Sequence, residues 1–391
     1  MIMAIDNKDK VLNVPNLRFP EFTEEWRKYK VSDVLDFYST NSLSWEQLDY
    51  NNEDLYNLHY GLIHVGLPIL VDIGQNKLPG IKTECKPKNF ELCKEGDVAF
   101  ADASEDTNDV AKAIEFVNLN NQKTVCGLHT IHGRDNKHLT VLGYKGYAFA
   151  SPLFHNQIRR IAQGTKIYSI SSKNFAECYI GIPSKDEQSK IARLLALIDS
   201  RIATQNKIIE QLQSLIKGIV VSITAETPNT RIDKCLVCHS TTLQENQIED
   251  FGDFPVYGAN GICEYTVNAD FNEPAILIVK DGSGVGNVRF VNGKFSVIGT
   301  QNILTPQNKF FLKYIFYCLQ AFNFVPYKTG MAIPHIYFKD YGKAKIYCPN
   351  FEQQVKIASQ IDLIESKIEI ETQLLNKYEE QKKFLLSNMF I

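Results

Sequence analysis

Long apolar runs are missing from this 391-residue chain. The densest, Ala275–Val279 (AILIV), is strand-sized, far short of the roughly 18 residues a membrane-spanning helix needs. The first twenty residues, MIMAIDNKDKVLNVPNLRFP, carry no basic flank leading into an apolar stretch. That predicts a cytoplasmic protein with neither signal peptide nor anchor. Its nine cysteines are therefore expected as reduced thiols and not as a disulfide framework. Cys235-Leu-Val-Cys238-His239 has the C-x-x-C-H spacing of covalent haem attachment, but that chemistry requires export. A zinc site would want a second Cys or His pair, and only Cys263 follows within thirty residues. No metal is expected here, nor at His129 and His132, which are read as one strand whose alternation points them apart.

Catalytic signatures are missing too. There is no G-x-x-x-x-G-K-[ST], no H-E-x-x-H and no G-x-S-x-G. The Pro-rich tetrapeptide that amino-methyltransferases set beside an extruded base is also lacking, as is a dinucleotide fingerprint between a strand and a helix. The acids in DEQSK, from Asp186, suit the positive end of a helix dipole. Together these gaps favour a binding protein over a catalyst.

A positive net charge is missing as well: the chain totals -3, which at first argues against nucleic acid. The charge is nonetheless unevenly placed. Residues 120–173 hold eight Lys or Arg against one acid, Asp135, and residues 280–345 hold nine against Asp281 and Asp340. Outside these windows 25 basic residues face 42 acidic ones, a remainder of -17. Basic islands are what phosphate contact requires, because each neutralised phosphate releases counterions.

What organises the chain is a repeat. Shifted by 166 residues, Gly164–Ile202 lies without a gap on Gly330–Ile368, with fourteen identities in thirty-nine positions. Each copy is a globular segment followed by a helix. The divisions read as segments 1–185 and 226–350 and helices 186–225 and 351–391. The first helix has a seam at Ile191, Leu195, Ile198, Ile202, Ile209, Leu212, Ile216 and Ile219, interrupted by Gln205; the second runs from Ile357 through Ile361, Ile364 and Ile368 to Leu385, interrupted by Glu371. A four-and-three spacing is that of a coiled coil, and the helices are expected to pair antiparallel with Gln205 and Glu371 fixing register. The globular segments read as mixed α/β, with strands over 96–102, 112–117, 125–133, 275–281, 288–291 and 296–304 and a helix over 309–320. The overall class is α+β.

The stretch VKDGSGVGNVRF (Val279–Phe290) looks like a phosphate loop. It is followed by another strand and an Asn292-Gly293 turn, so no helix start offers its dipole to a phosphate. It is read as a loop between strands.

VPNLRFPEFTEEW (Val14–Trp26), FPVYGANG (Phe254–Gly261), CGLHTIHG and the twice-used IP…EQ or CP…EQQ helix start resemble the DNA specificity (S) subunits of type I restriction-modification systems. The resemblance covers nearly the whole chain. It implies two pseudo-symmetric target-recognition domains separated by two long antiparallel helices, each domain reading half of a bipartite double-stranded DNA site. It further implies docking of two modification (methyltransferase) subunits that methylate adenine with S-adenosylmethionine, and of restriction (endonuclease/translocase) subunits that use ATP and magnesium. The chain itself would need no cofactor and no membrane. DNA contacts are expected from Arg134, Lys137, Arg159, Arg160 and Lys166 in the first segment, and from Lys280, Ser283, Asn287, Arg289, Lys328 and His335 in the second. Two other readings stay open: a coiled-coil scaffold that binds only protein, and a free-standing nuclease or methyltransferase.

Overall fold

A computed structural model describes residues 2–3, 13–248, 252–282, 284–307, 309–330 and 333–391. It divides into two compact units: Met1–Gln205 with Leu374–Ile391, and Asn206–Gln373. Two long helices, α1 (Lys185–Ala225) and α2 (Phe351–Asn388), each contribute one end to each unit.

The first unit is built on a five-stranded sheet of β1 (Asp36–Tyr38), β2 (Leu70–Asp72), β3 (Val98–Ala101), β4 (Ala113–Asn118) and β5 (Thr130–Arg134), in the order β1-β5-β3-β4-β2. Every pairing is antiparallel except β4 with β2. The central strand β3 reads VAFA and is buried on both faces, as an uninterrupted apolar run should be. The segment expected as one strand, 125–133, is two. Thr124–Cys126 belongs to a second sheet, and a turn through His129, at φ 54°, leads into β5.

One face of the main sheet packs on helix. Ile191, Leu195 and Ile198 of α1 are buried with Leu385, Leu386, Met389 and Phe390 of α2. Lys382 Nζ lies 2.5 Å from Asp199 Oδ1, while Ile391, beyond the end of α2, reaches Gly181, ahead of the start of α1, so the two segments run antiparallel within this unit. Phe390 meets the Trp26 and Tyr144 rings, and a Cβ on Gly181 would lie 2.3 Å from Ile391 Cγ1. The chain's last residues are thus part of the first unit's core, although they are its most distant residues in sequence.

The second unit repeats the plan with β6 (Leu236–His239), β7 (Ala275–Val279), β8 (Val288–Val291) and β9 (Gln301–Pro306), in the order β6-β9-β7-β8. The all-buried AILIV is again the central strand. Val220 and Ile223 of α1 pack with Ala358 and Ile361 of α2. The Asn292-Gly293 turn joins β8 to Ser296–Val297, which pairs with Phe254–Gly258 in another sheet, so it carries the chain between sheets and closes no hairpin.

The duplication reaches further than the sequence shift reveals. Tyr144 donates to Gly181 O at 2.7 Å and Tyr314 to Tyr347 O at 3.0 Å, while Tyr147 donates to Asp199 and Tyr317 to Asp362 and Glu365. The buried amides Gln188 and Gln354, identical in the repeat, donate to Pro183 O and Pro349 O and accept the backbone N–H of Val141 and Phe311. Each unit therefore clamps its long helix with the same groups. Tyr147→Phe and Tyr317→Phe are each expected to cost about 1 kcal/mol, read as separate shifts in chemical denaturation of their own unit.

By length and composition α1 also contains a window apolar enough to span a membrane, with mean hydropathy 1.3. Its two ends are instead built into the cores of the two units.

Candidate nucleic-acid interface

In both units the central strand ends beside a hairpin that the repeat places at the same position. In the first unit Gln163 and Ser169 exchange backbone hydrogen bonds of 2.9 and 2.8 Å, and Ile170 N donates to Asp102 O just beyond β3. In the second, Thr329 and His335 exchange bonds of 2.9 and 2.8 Å, and Ile336 N donates to Lys280 O just beyond β7. Gly164 at φ 137° and Gly330 at φ 88° begin the two loops. A Cβ there would lie 1.9 Å from Ile167 O or 2.3 Å from Ile333 O, so each loop depends on glycine.

The second unit gathers most of its expected residues around this hairpin. Lys280 follows β7, and Gly282 N donates to Pro334 O at 3.0 Å, tying the glycine stretch to the hairpin. Asn287 is exposed opposite that strand end, with its carbonyl accepting from Val279 N. Arg289 lies in β8, with its guanidinium 5.9 Å from the Tyr257 ring centre. Lys328 is exposed at the hairpin's base, and His335 Nδ1 sits 3.6 Å from Asp281 Oδ1. Exposed Ile333 and Tyr337 flank them, with Lys339 Nζ over the Tyr337 ring. Ser283 lies outside the described residues. The glycine stretch is a tight turn between β7 and β8, closed by Gly286 N donating to Val279 O at 2.9 Å, with no helix following it.

The first unit splits its expected set. Arg159 and Arg160 are exposed in the last turn of the helix Pro152–Ile161, and Lys166 is exposed in the hairpin that follows. Arg159 donates to Asn108 and Asn156, on the loop beyond β3 and on its own helix. Lys137 follows the other end of β5, where its Nζ donates to Asp33 O at 2.7 Å.

Arg134 corrects the sequence expectation. It is 6% exposed, and its guanidinium donates to both Asp97 carboxylate oxygens, to Glu91 and to Leu92 O, all at 2.8 Å. It also stacks over Tyr38, 4.3 Å from the ring centre. Burial opposes ionisation of Asp97, yet the Arg134 and His132 hydrogen bonds outweigh it and hold the carboxyl below its ordinary range. Four of its five N–H donors are thus spent inside the protein, which marks Arg134 as a structural ion and not an exposed contact for DNA. Lys145 is likewise buried, 3.1 Å from Glu115 Oε1, so the first basic island is in part an internal network.

Sequence reading missed the aromatic and histidine cluster at the same end of the first unit's sheet. Trp45 and His59 ring centres are 4.3 Å apart, and Tyr60 touches the His59, His64 and His129 rings. His129 Nδ1 lies 3.1 Å from Asp102 Oδ1, beside the hairpin, and Trp45 is 46% exposed. Nothing in the composition signalled it, because the residues that meet here are scattered from 45 to 129. His239 of the C-x-x-C-H run bonds Thr305 Oγ1 at 2.8 Å while Cys235 Sγ, at the end of the short helix Ile232–Cys235, faces Cys348 Sγ at 3.8 Å, so the side chains of the run find separate partners.

A chain built twice from one α+β plan, each copy ending its central strand in a glycine-shaped hairpin flanked by exposed cations, is a tandem recognition protein. The family model for the type I restriction modification DNA specificity domain matches residues 23–214 and 236–380, and the protein belongs to that family. The specificity subunit of the type I restriction enzyme EcoprrI from Escherichia coli is 26% identical over 109 residues, 28% of this chain. The match covers only 27% of that relative's length. The crystal structure of a type I restriction-modification S subunit from M. genitalium superposes with a TM-score of 0.61 at 18% identity, covering 97% of this chain and 99% of that one. A solved structure describing complex assembly and conformational transition of a type I restriction-modification system gives 0.53 at 14% identity, covering 92% and 96%. These structural likenesses concern the fold.

Proposed function

We propose that each unit reads one half of a bipartite duplex DNA target with the hairpin end of its central strand, and that this chain performs no bond chemistry itself. The single observation carrying this is the recurrence of the pinned hairpin, with cations beside it, at the same place in both units. Arg289 and Asn287 carry the hydrogen-bonding groups that read guanine and adenine edges in the major groove. Lys166, Lys280, Lys328, Arg159 and Arg160 supply phosphate contacts that position the units without selecting sequence. Methylome sequencing of cells with and without this chain tests the reading: loss of one split adenine motif is expected, and an unchanged methylome would refute it. Gly330→Ala should erase methylation of that motif, and Gly164→Ala likewise, while far-UV circular dichroism of the purified variants stays that of the parent.

The long helices dock two modification subunits carrying S-adenosylmethionine, and the assembly takes on restriction subunits that use ATP and magnesium. Leu197, Leu215, Val221, Leu363, Ile370 and Phe384 support this, because they are large apolar side chains left exposed on the helices. Leu363, 72% exposed, is the sharpest test. Leu363→Asp should reduce co-purification of the modification subunit at least tenfold and shift this chain's own stability by no more than about 0.5 kcal/mol.

A further inference from the structure

The first unit contains a cluster that DNA reading does not use. Cys93, Cys126 and His132 are 6%, 1% and 0% exposed, and their ligand atoms all lie within 4.8 Å of one another. Cys93 precedes β3, Cys126 closes Thr124–Cys126 in the second sheet, and His132 is central in β5. The group therefore sits where the two sheets of this unit meet.

Three observations point to a ligand. The two sulfurs are 3.6 Å apart, far beyond the ~2.05 Å of a disulfide but close to the ~3.8 Å edge of a tetrahedron with ~2.3 Å metal–sulfur bonds. His132 Nε2 is 2.7 Å from Asp97 Oδ2, the carboxylate–histidine pairing that orients a metal-bound imidazole. Its other nitrogen, Nδ1, is buried with no hydrogen-bond partner. Protonated or not, that nitrogen is an unsatisfied group in the core, which costs stability until something occupies the space before it. We propose that Cys93, Cys126 and His132 Nδ1 bind one soft, thiophilic d10 cation, zinc(II) or copper(I), that staples the two sheets of the first unit.

Charge agrees with zinc. Two thiolates neutralise a divalent ion, and the neighbouring buried Asp97 and Arg134 neutralise each other, with Glu91 on the solvent side of Arg134 and 35% exposed, so the buried site carries no net charge. Binding is a simple exchange: the cation enters, the two thiol protons and any proton on Nδ1 leave to the buffer, and nothing is oxidised. A fourth position falls to water for zinc and is not needed by three-coordinate copper. The second unit's pair, Cys235 and Cys348, has a similar sulfur spacing of 3.8 Å, but the only His/Cys/Asp/Glu trio among the described residues is in the first unit.

The test uses the full-length chain, loaded with zinc or with copper under reducing conditions and desalted. Plasma mass spectrometry should find one equivalent of metal, its identity separating the two cations, and Cys93→Ser and Cys126→Ser should each remove it. Cobalt in its place should give a thiolate-to-cobalt charge-transfer band that His132→Cys shifts and intensifies. Should the serine variants misfold, the parent alone decides: a chelator must strip the metal and lower its melting temperature. Less than a tenth of an equivalent after loading, no charge-transfer band, or metal retained by folded Cys93→Ser and Cys126→Ser overturns the proposal.

Discussion

Arg134→Ala is expected to destabilise the first unit by about 3–5 kcal/mol, a drop on the order of 10 °C in its melting transition. The substitution removes both bonds to the Asp97 carboxylate and leaves that anion 1% exposed with only His132 and the Lys94 backbone N–H beside it. Glu91 and the Leu92 carbonyl lose their donors in the same step. The cost arises chiefly from the charge left behind, since an unpaired buried carboxylate forfeits its hydration with nothing in return. Lys137→Ala is the control. Exposed and bonded only to a backbone carbonyl, it should change stability by no more than about 0.5 kcal/mol. Calorimetry of the two variants distinguishes the roles, and equal, small shifts would show that Arg134 is not the structural ion its geometry indicates.

Lys280→Glu combined with Lys328→Glu should abolish recognition through the second unit while leaving both units folded. Each lysine lies at the pinned hairpin, and neither has a carboxylate partner among the described residues. Losing two phosphate contacts should flatten the slope of log affinity against log salt by about 2, and the two added anions should weaken binding to every sequence. Arg289→Ala should behave differently, costing about 1–3 kcal/mol on the cognate site and relaxing the preference at one base position. Fluorescence anisotropy across a salt series, with cognate and scrambled duplexes, separates the two patterns. An unaltered salt slope in the double charge reversal would place the DNA elsewhere on this unit.

Some of this was legible in residues alone because it is written in local periodicity or in repetition. The seam of Ile191, Leu195 and Ile198 announces a helix, AILIV announces a buried strand, and a shift of 166 residues exposes the duplication. Four extra residues between Tyr147 and Gly164 of the first copy concealed the rest of the repeat, because Tyr144 and Tyr147 align with Tyr314 and Tyr317 only at a shift of 170. The strand expected over 125–133 failed for a different reason. A left-handed residue at His129 costs little there once Asp102 takes its ring, and no pattern of apolar residues records that.

Charge was the least legible property. A count of lysines and arginines treats Arg134, Lys145 and Lys166 alike, yet the first two are internal partners of Asp97 and Glu115 and only the third faces water. The cysteines behaved the same way, since Cys93 and Cys126 stand 33 residues apart and meet only because two sheets bring them together. The sequence by itself determined the duplicated α+β plan, the two long helices and the absence of familiar catalytic motifs, since each follows from residue order and short-range spacing. Only the tertiary structure decided which cations are buried and which exposed, which hairpins the repeat pins in place and which thiols converge on a histidine. Those depend on distances between residues far apart in the chain, and burial, not composition, sets whether a charge is spent inside the protein or offered outside it.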